Sequence, residues 1–105
     1  MISLEALKTA GDESAFPAGL PLLLRALWHD RHGRWDEAHR IAQDLDTAEA
    51  AWVHAYLHRK EGDQSNAEYW YRRCRITPSI VSLDEEWETL VQSSLEQAPS
   101  VIAAR

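Results

Sequence analysis

Four histidines and an arginine, Arg25, His29, His39, His54 and His58, are the side chains of this sequence with the most chemical potential. Imidazole titrates near neutral pH and, when neutral, offers a lone pair to a proton or a metal. His54 and His58 are four residues apart, which puts both on one face of a helix, and His39 on a preceding helix can approach them. Two kinds of role follow from this pattern. One is a half-buried, hydrogen-bonded cluster that fixes helix packing, because buried polar groups are tolerated when paired. The other is a site for proton transfer or for a small ligand. A shared zinc is the weakest form of the second role, since HxxxH without an intervening Glu is a poor signal and no Cys or carboxylate is fixed beside it. No metal is therefore expected. No nucleophile motif, Gly-rich phosphate loop or cofactor fingerprint is present, so no cofactor is expected either, and Cys74 reads as core filler.

Composition bounds the rest. A chain of 105 residues with 45% hydrophobic content is long enough for one small core. Its net charge of −6 argues against a nucleic-acid partner, because neutralising phosphates needs a basic field. A single cysteine rules out an intramolecular disulfide and fits a reducing compartment. The N-terminal MISLEALKTAGDESAF lacks the basic and apolar regions of a secretory signal, and no stretch approaches the roughly 20 apolar residues of a membrane span. A cytoplasmic protein with no membrane partner is expected.

The elements that must position the histidines are announced by an internal repeat. Ala26-x-x-His29-x-x-x-Gly33-x-x-x-x-Ala38 recurs as Ala55-x-x-His58-x-x-x-Gly62-x-x-x-x-Ala67, a period that means stacked helical hairpins. Aligned by its glycines, the repeat makes His29 equivalent to His58 and Arg25 equivalent to His54. The alphabet of Ala, Leu, Glu, Arg and Gln favours helix. Ser3 predicts a short first helix to about Thr9, with Ile2, Leu4 and Leu7 on its apolar side. Pro21, as a first helical residue, predicts a helix from about Leu20 to His32 that stops at Gly33. Trp35 or Asp36 opens the next, with Ala38, Ile41, Ala42 and Leu45 on one face. Asp46 and Glu49 read as a capping box for a helix ending near Gly62. Asp63 caps another, bearing Ala67, Trp70, Tyr71 and Cys74, with Arg72, Arg73 and Arg75 meeting the negative end of its dipole. Ser82 and Glu85 form a second capping box for a last long helix, about 83 to 97, with a stripe of Leu83, Trp87, Leu90, Val91 and Leu95. The tail from Ala98 is expected to fray.

GRWDEA at Gly33 to Ala38 and EGDQSNAEYWY at Glu61 to Tyr71 resemble the turn and second helix of tetratricopeptide repeats, in which Gly closes one helix, Ala permits close approach and an aromatic follows, as Ala67 and Tyr71 do here. The likeness covers roughly residues 20 to 78. It departs from the family in a repeat shorter than the usual one of about 34 residues, in Ala42 where the aromatic would stand, and in the register of Trp52. The segments WHD, WDEAH, AWVHAYLHRKEGD and NAEYWYRR also resemble a family of short bacterial proteins of unassigned function.

The resemblance implies an all-α fold of two tetratricopeptide-like hairpins, about 20 to 45 and 47 to 75, stacked right-handed as one domain. The short first helix and Phe16 would lie over one end, and the last helix would cap the other. It also implies that Trp52, Tyr56 and Arg59 line a concave surface able to grip an extended peptide or an acidic terminus. The same spacing is compatible with Trp52 and Tyr56 as core and Arg59 as a solvated cation. The leading expectation is a non-enzymatic protein or peptide interaction module, with a homodimer if the ends stay uncovered. The competing one is a small enzyme or small-molecule binder built on the histidines and Arg25.

Overall fold

The computed structural model describes residues 4–9, 11 and 20–103. Among them the fold is all-α: α1 (Leu4–Thr9), α2 (Leu22–Arg31), α3 (Trp35–Gln43), α4 (Ala48–Lys60), α5 (Gln64–Arg73) and α6 (Leu83–Ala103). The expected roles of Ile2, Ser3 and Phe16 fall outside the described residues.

The repeat has a physical cause at each of its positions. Gly33 and Gly62 adopt φ of +80° and +90°, the left-handed conformation that ends a helix and that glycine enters without a Cβ penalty. At the first turn the Gly33 N–H donates to the Asp30 carbonyl (3.1 Å) and the Arg34 N–H to the His29 carbonyl (2.9 Å). At the second, the Gly62 N–H donates to Arg59 (3.1 Å) and the Asp63 N–H to His58 (2.9 Å). A Cβ at either glycine would meet nothing within 4 Å, so the backbone angle and not space demands the residue. The small partners Ala26, Ala38, Ala55 and Ala67 are all fully buried, and α2 packs on α3 as α4 packs on α5.

Helix α5 ends the same way without a glycine. Arg75 takes φ 61°, while its N–H donates to Arg72 (3.1 Å) and the Ile76 N–H to Tyr71 (3.0 Å). Arg75 is therefore past the helix, and only Arg72 and Arg73 lie in its last turn.

Three boundaries differ from the sequence expectation. The N-cap of α4 is Thr47, whose hydroxyl accepts from the Ala50 N–H at 3.1 Å, and not Asp46, because a cap side chain reaches two or three residues ahead. Pro21 is itself the N-cap of α2, one position earlier than a first helical residue. And α6 runs on to Ala103, through Pro99, where a proline costs a hydrogen bond and need not end the helix. Asp63 and the Ser82/Glu85 box behave as expected: Asp63 accepts from the Asn66 N–H, and Ser82 and Glu85 exchange bonds at 3.1 and 3.2 Å.

The core gathers Leu24, Leu27 and Trp28 from α2, Val53, Tyr56 and Leu57 from α4, and Trp87, Leu90 and Val91 from α6, with Leu7 of α1 beside them. A smaller group, Ala55, Ala67 and Tyr71, closes α4 against α5. The last helix does not sit as a lid on the far end. It packs on α4, α2 and α1, with Trp87 donating to the Leu27 carbonyl at 2.9 Å. There the Leu83/Trp87/Leu90/Val91 stripe meets the apolar residues of α2 and α4.

Candidate functional site

That placement of α6 decides the fate of the expected concave face. Trp52 donates from Nε1 to Glu86 Oε2 at 3.1 Å. Arg59 pairs through Nη1 with Glu86 Oε1 at 2.7 Å and donates from Nη2 to the Val81 carbonyl. Tyr56, only 2% exposed, donates to Asp30 Oδ2 at 2.8 Å, and its hydroxyl is held far above the ordinary phenol range by burial and by the Asp30 charge. All three therefore serve the contact between α4, α2 and α6, which corrects the expectation of an open peptide-gripping surface. Arg59 is neither a free hook nor a solvated cation; its charge is matched by a carboxylate that also accepts from the Tyr71 hydroxyl at 2.5 Å.

The histidines do converge, in a subset. His39 of α3 and His54 of α4 meet Nε2 to Nε2 at 2.8 Å, a distance at which one imidazole donates its N–H to the lone pair of the other. His58, one turn after His54, stacks on it with centroids 4.8 Å apart and planes at 21°. His39 stands nearly perpendicular to both, at 86° and 76°. Indoles wall the triad: Trp35 lies parallel to His39 at 4.8 Å and Trp70 parallel to His54 at 3.9 Å. Trp35 is itself pinned by an Nε1 bond to the Leu57 carbonyl at 2.8 Å.

Electrostatics follow from that enclosure. Burial, with the neighbouring His39 and His58, pushes His54 down to about 4. Burial likewise lowers His39, helped by His58 and opposed by Glu61 and Asp36. A neutral pair is thus the stable form at pH 7, and the short Nε2 to Nε2 contact itself requires the accepting ring to be neutral. His58 has a different neighbour: Nδ1 lies 2.7 Å from Glu61 Oε2. With the Nδ1 proton committed to that carboxylate, a neutral His58 keeps its lone pair on Nε2.

His29 and Arg25 belong to α2 and are not part of this triad. His29 Nδ1 accepts from Arg34 Nε at 2.9 Å, and its ring lies beside Trp28 at 4.9 Å. The repeat makes His29 and His58 equivalent in backbone role, both carbonyls closing a helix end, while their side chains meet different surroundings. Trp35, Trp70 and Glu61 were not singled out for this site by sequence. The signal was present: Trp35 stands four residues before His39, and Glu61 three after His58, both spacings that bring side chains together on a helix.

A polar groove of about 200 Å³ runs between the α3–α4 connection and α5, lined by Gln43, Asp46, Thr47, His54, Trp70 and Arg73 among others. His54 is the one member of the triad that lines it. The guanidinium of Arg73, its Cζ 5.4 Å from the Trp70 ring, gives this groove a cation that can meet an anionic group. Among the described residues no helix is long and apolar enough to cross a membrane.

Comparison of the chain with family models, with curated proteins and with solved structures finds no match.

Proposed function

We propose that this chain is a non-enzymatic binding module whose ligand site is the histidine triad and the groove that His54 lines. The carrying observation is the convergence of His39, His54 and His58, drawn from two helices and walled by Trp35 and Trp70. The groove lined by His54, Trp70 and Arg73 beside the cluster supports a binding role. The likeness to tetratricopeptide hairpins supports binding over catalysis, and the single Cys74 supports a cytoplasmic setting. Peptide recognition by Trp52, Tyr56 and Arg59 is not part of this reading, because those side chains are engaged with Asp30 and Glu86.

The test is a thermal-shift screen of small ligands against the parent and against Trp70→Leu and Arg73→Ala. A ligand of the groove stabilises the parent in proportion to its occupancy and loses that effect in both variants. A set of ligands that stabilises all three proteins equally places the site elsewhere.

A second reading, contact with a protein partner or a second copy, is supported by Ile80, 96% exposed, beside the half-exposed Val81. Concentration-dependent sedimentation that disappears in Ile80→Glu is its test.

A further inference from the structure

Resting on that binding reading, we propose that the triad His39, His54 and His58 is a site for a divalent transition-metal ion of the zinc class. One ligand atom from each residue lies within 4.8 Å of the other two. A tetrahedral zinc with bonds of about 2.0 to 2.1 Å holds its nitrogens roughly 3.3 Å apart. The His39 to His54 contact at 2.8 Å has to open slightly and His58 to close slightly. Side-chain rotations have to turn the stacked His54 and His58 rings so that their nitrogens converge, and both start from one face of α4. The ion takes the place of the proton that now bridges His39 and His54.

The donor set selects the ion. Three imidazole nitrogens with no carboxylate among them disfavour calcium and magnesium, which take oxygen ligands. Zinc, copper and nickel all suit imidazole. Behind His58, Glu61 Oε2 at 2.7 Å from Nδ1 supplies the carboxylate that metal-bound histidines commonly carry, and it keeps Nε2 as the coordinating atom. Three protein ligands leave a fourth position, and the groove beside His54 gives it access to water or to a small anion near Arg73. A rival grouping, His58 with Glu61 and Asp63, also brings three ligand atoms within that distance. There Asp63 is committed to capping α5, and Glu61 is exposed. The sequence expectation of no metal rested on the lack of a Cys or carboxylate fixed beside His54 and His58 and on HxxxH without an intervening Glu being a weak signal. The third ligand is His39, and α3 delivers it.

The experiment titrates chelator-treated protein with Co²⁺, read by its visible absorption, and then displaces it with Zn²⁺. The parent is expected to bind one Co²⁺ per chain with a tetrahedral spectrum and to exchange it for Zn²⁺, while Mg²⁺ leaves it in place. His39→Ala, at a half-buried position of α3, should weaken Zn²⁺ at least tenfold, and Glu61→Gln about 10- to 100-fold. Asp63→Asn, which preserves the cap, should bind like the parent. Circular dichroism confirms that each variant is folded, and His39→Gln replaces His39→Ala if it is not. The inference is overturned by a parent that gives no Co²⁺ spectrum and no Zn²⁺-dependent rise in melting temperature. Full affinity in the folded His39 variant, or loss of affinity in Asp63→Asn, overturns it as well. If Zn²⁺ has no effect but a small organic ligand still stabilises the parent through Trp70 and Arg73, the metal assignment falls and the binding module stands; if neither acts, both fall.

Discussion

The imidazole of His54 lies flat on the indole of Trp70, ring centroids 3.9 Å apart and planes at 14°. One face of the ring is thereby closed to water, while its Nε2 meets His39. A charged imidazole in this position loses hydration that neither an indole face nor a second imidazole restores.

Acid should therefore destabilise the metal-free fold, over a defined window. The folded value for His54 is about 4 against 6.5 for the free side chain, so between those pH values the unfolded chain binds the extra proton. Stability is complete above about pH 6.5 and falls as pH drops, reaching a loss on the order of 3 kcal/mol near pH 4. His39 shifts in the same direction and adds to it. Urea unfolding at pH 7 and pH 4.5 measures the difference, and His54→Gln should flatten it; an unchanged slope in that variant removes His54 as the cause.

His58→Ala should cost about 1 to 3 kcal/mol, because it removes the bond to Glu61 and the packing of a buried ring on His54 and Trp35. His58 is 7% exposed and bonded to Glu61. Equal stability of parent and variant in chemical denaturation would mean that the parent stores compensating strain at the cluster.

Glu86 is a buried acceptor shared by Arg59, Trp52 and Tyr71. Removing one member of a buried ion pair strands the other, at a typical cost of about 3 to 5 kcal/mol. Glu86→Ala should accordingly unfold at much lower denaturant, whereas the double change Glu86→Leu with Arg59→Met should recover most of the loss. A double variant as unstable as Glu86→Ala would show that the packing of α6, and not the charge, had been damaged.

The three left-handed helix ends offer opposite substitutions. Gly33→Ala and Gly62→Ala should each destabilise by about 1 kcal/mol, since a Cβ is disfavoured at positive φ. Arg75→Gly, at φ 61°, should stabilise by up to about 1 kcal/mol by the same rule. Melting temperatures decide the signs, and a loss in Arg75→Gly would mean that the arginine side chain contributes more than its backbone angle costs.

Ending the chain after residue 82 removes Trp87, Leu90 and Val91 from the core. Loss of cooperative melting with gain of hydrophobic-dye binding is the expected result. A monomeric, cooperatively folded fragment would show that α2 and α4 need no cover.

The all-helical fold, the helix ends at Gly33 and Gly62, the caps at Asp63 and Ser82 and the buried alanines of the repeat were legible in the sequence alone. Each depends on interactions within a few residues: a positive φ, a side chain reaching three residues ahead, or a 3.6-residue period. The shared face of His54 and His58 was legible for the same reason. Where α6 would lie was not, because one amphipathic stripe fits any apolar surface of sufficient size, and only the assembled helices decide which one it meets. That choice engaged Trp52 and Arg59 with Glu86, while Tyr56 is held by Asp30 of α2. It was likewise the packing of α3 on α4 that selected His39, and not the repeat-equivalent His29, to complete the triad, since two histidines with the same backbone role can face different neighbours once the helices around them differ.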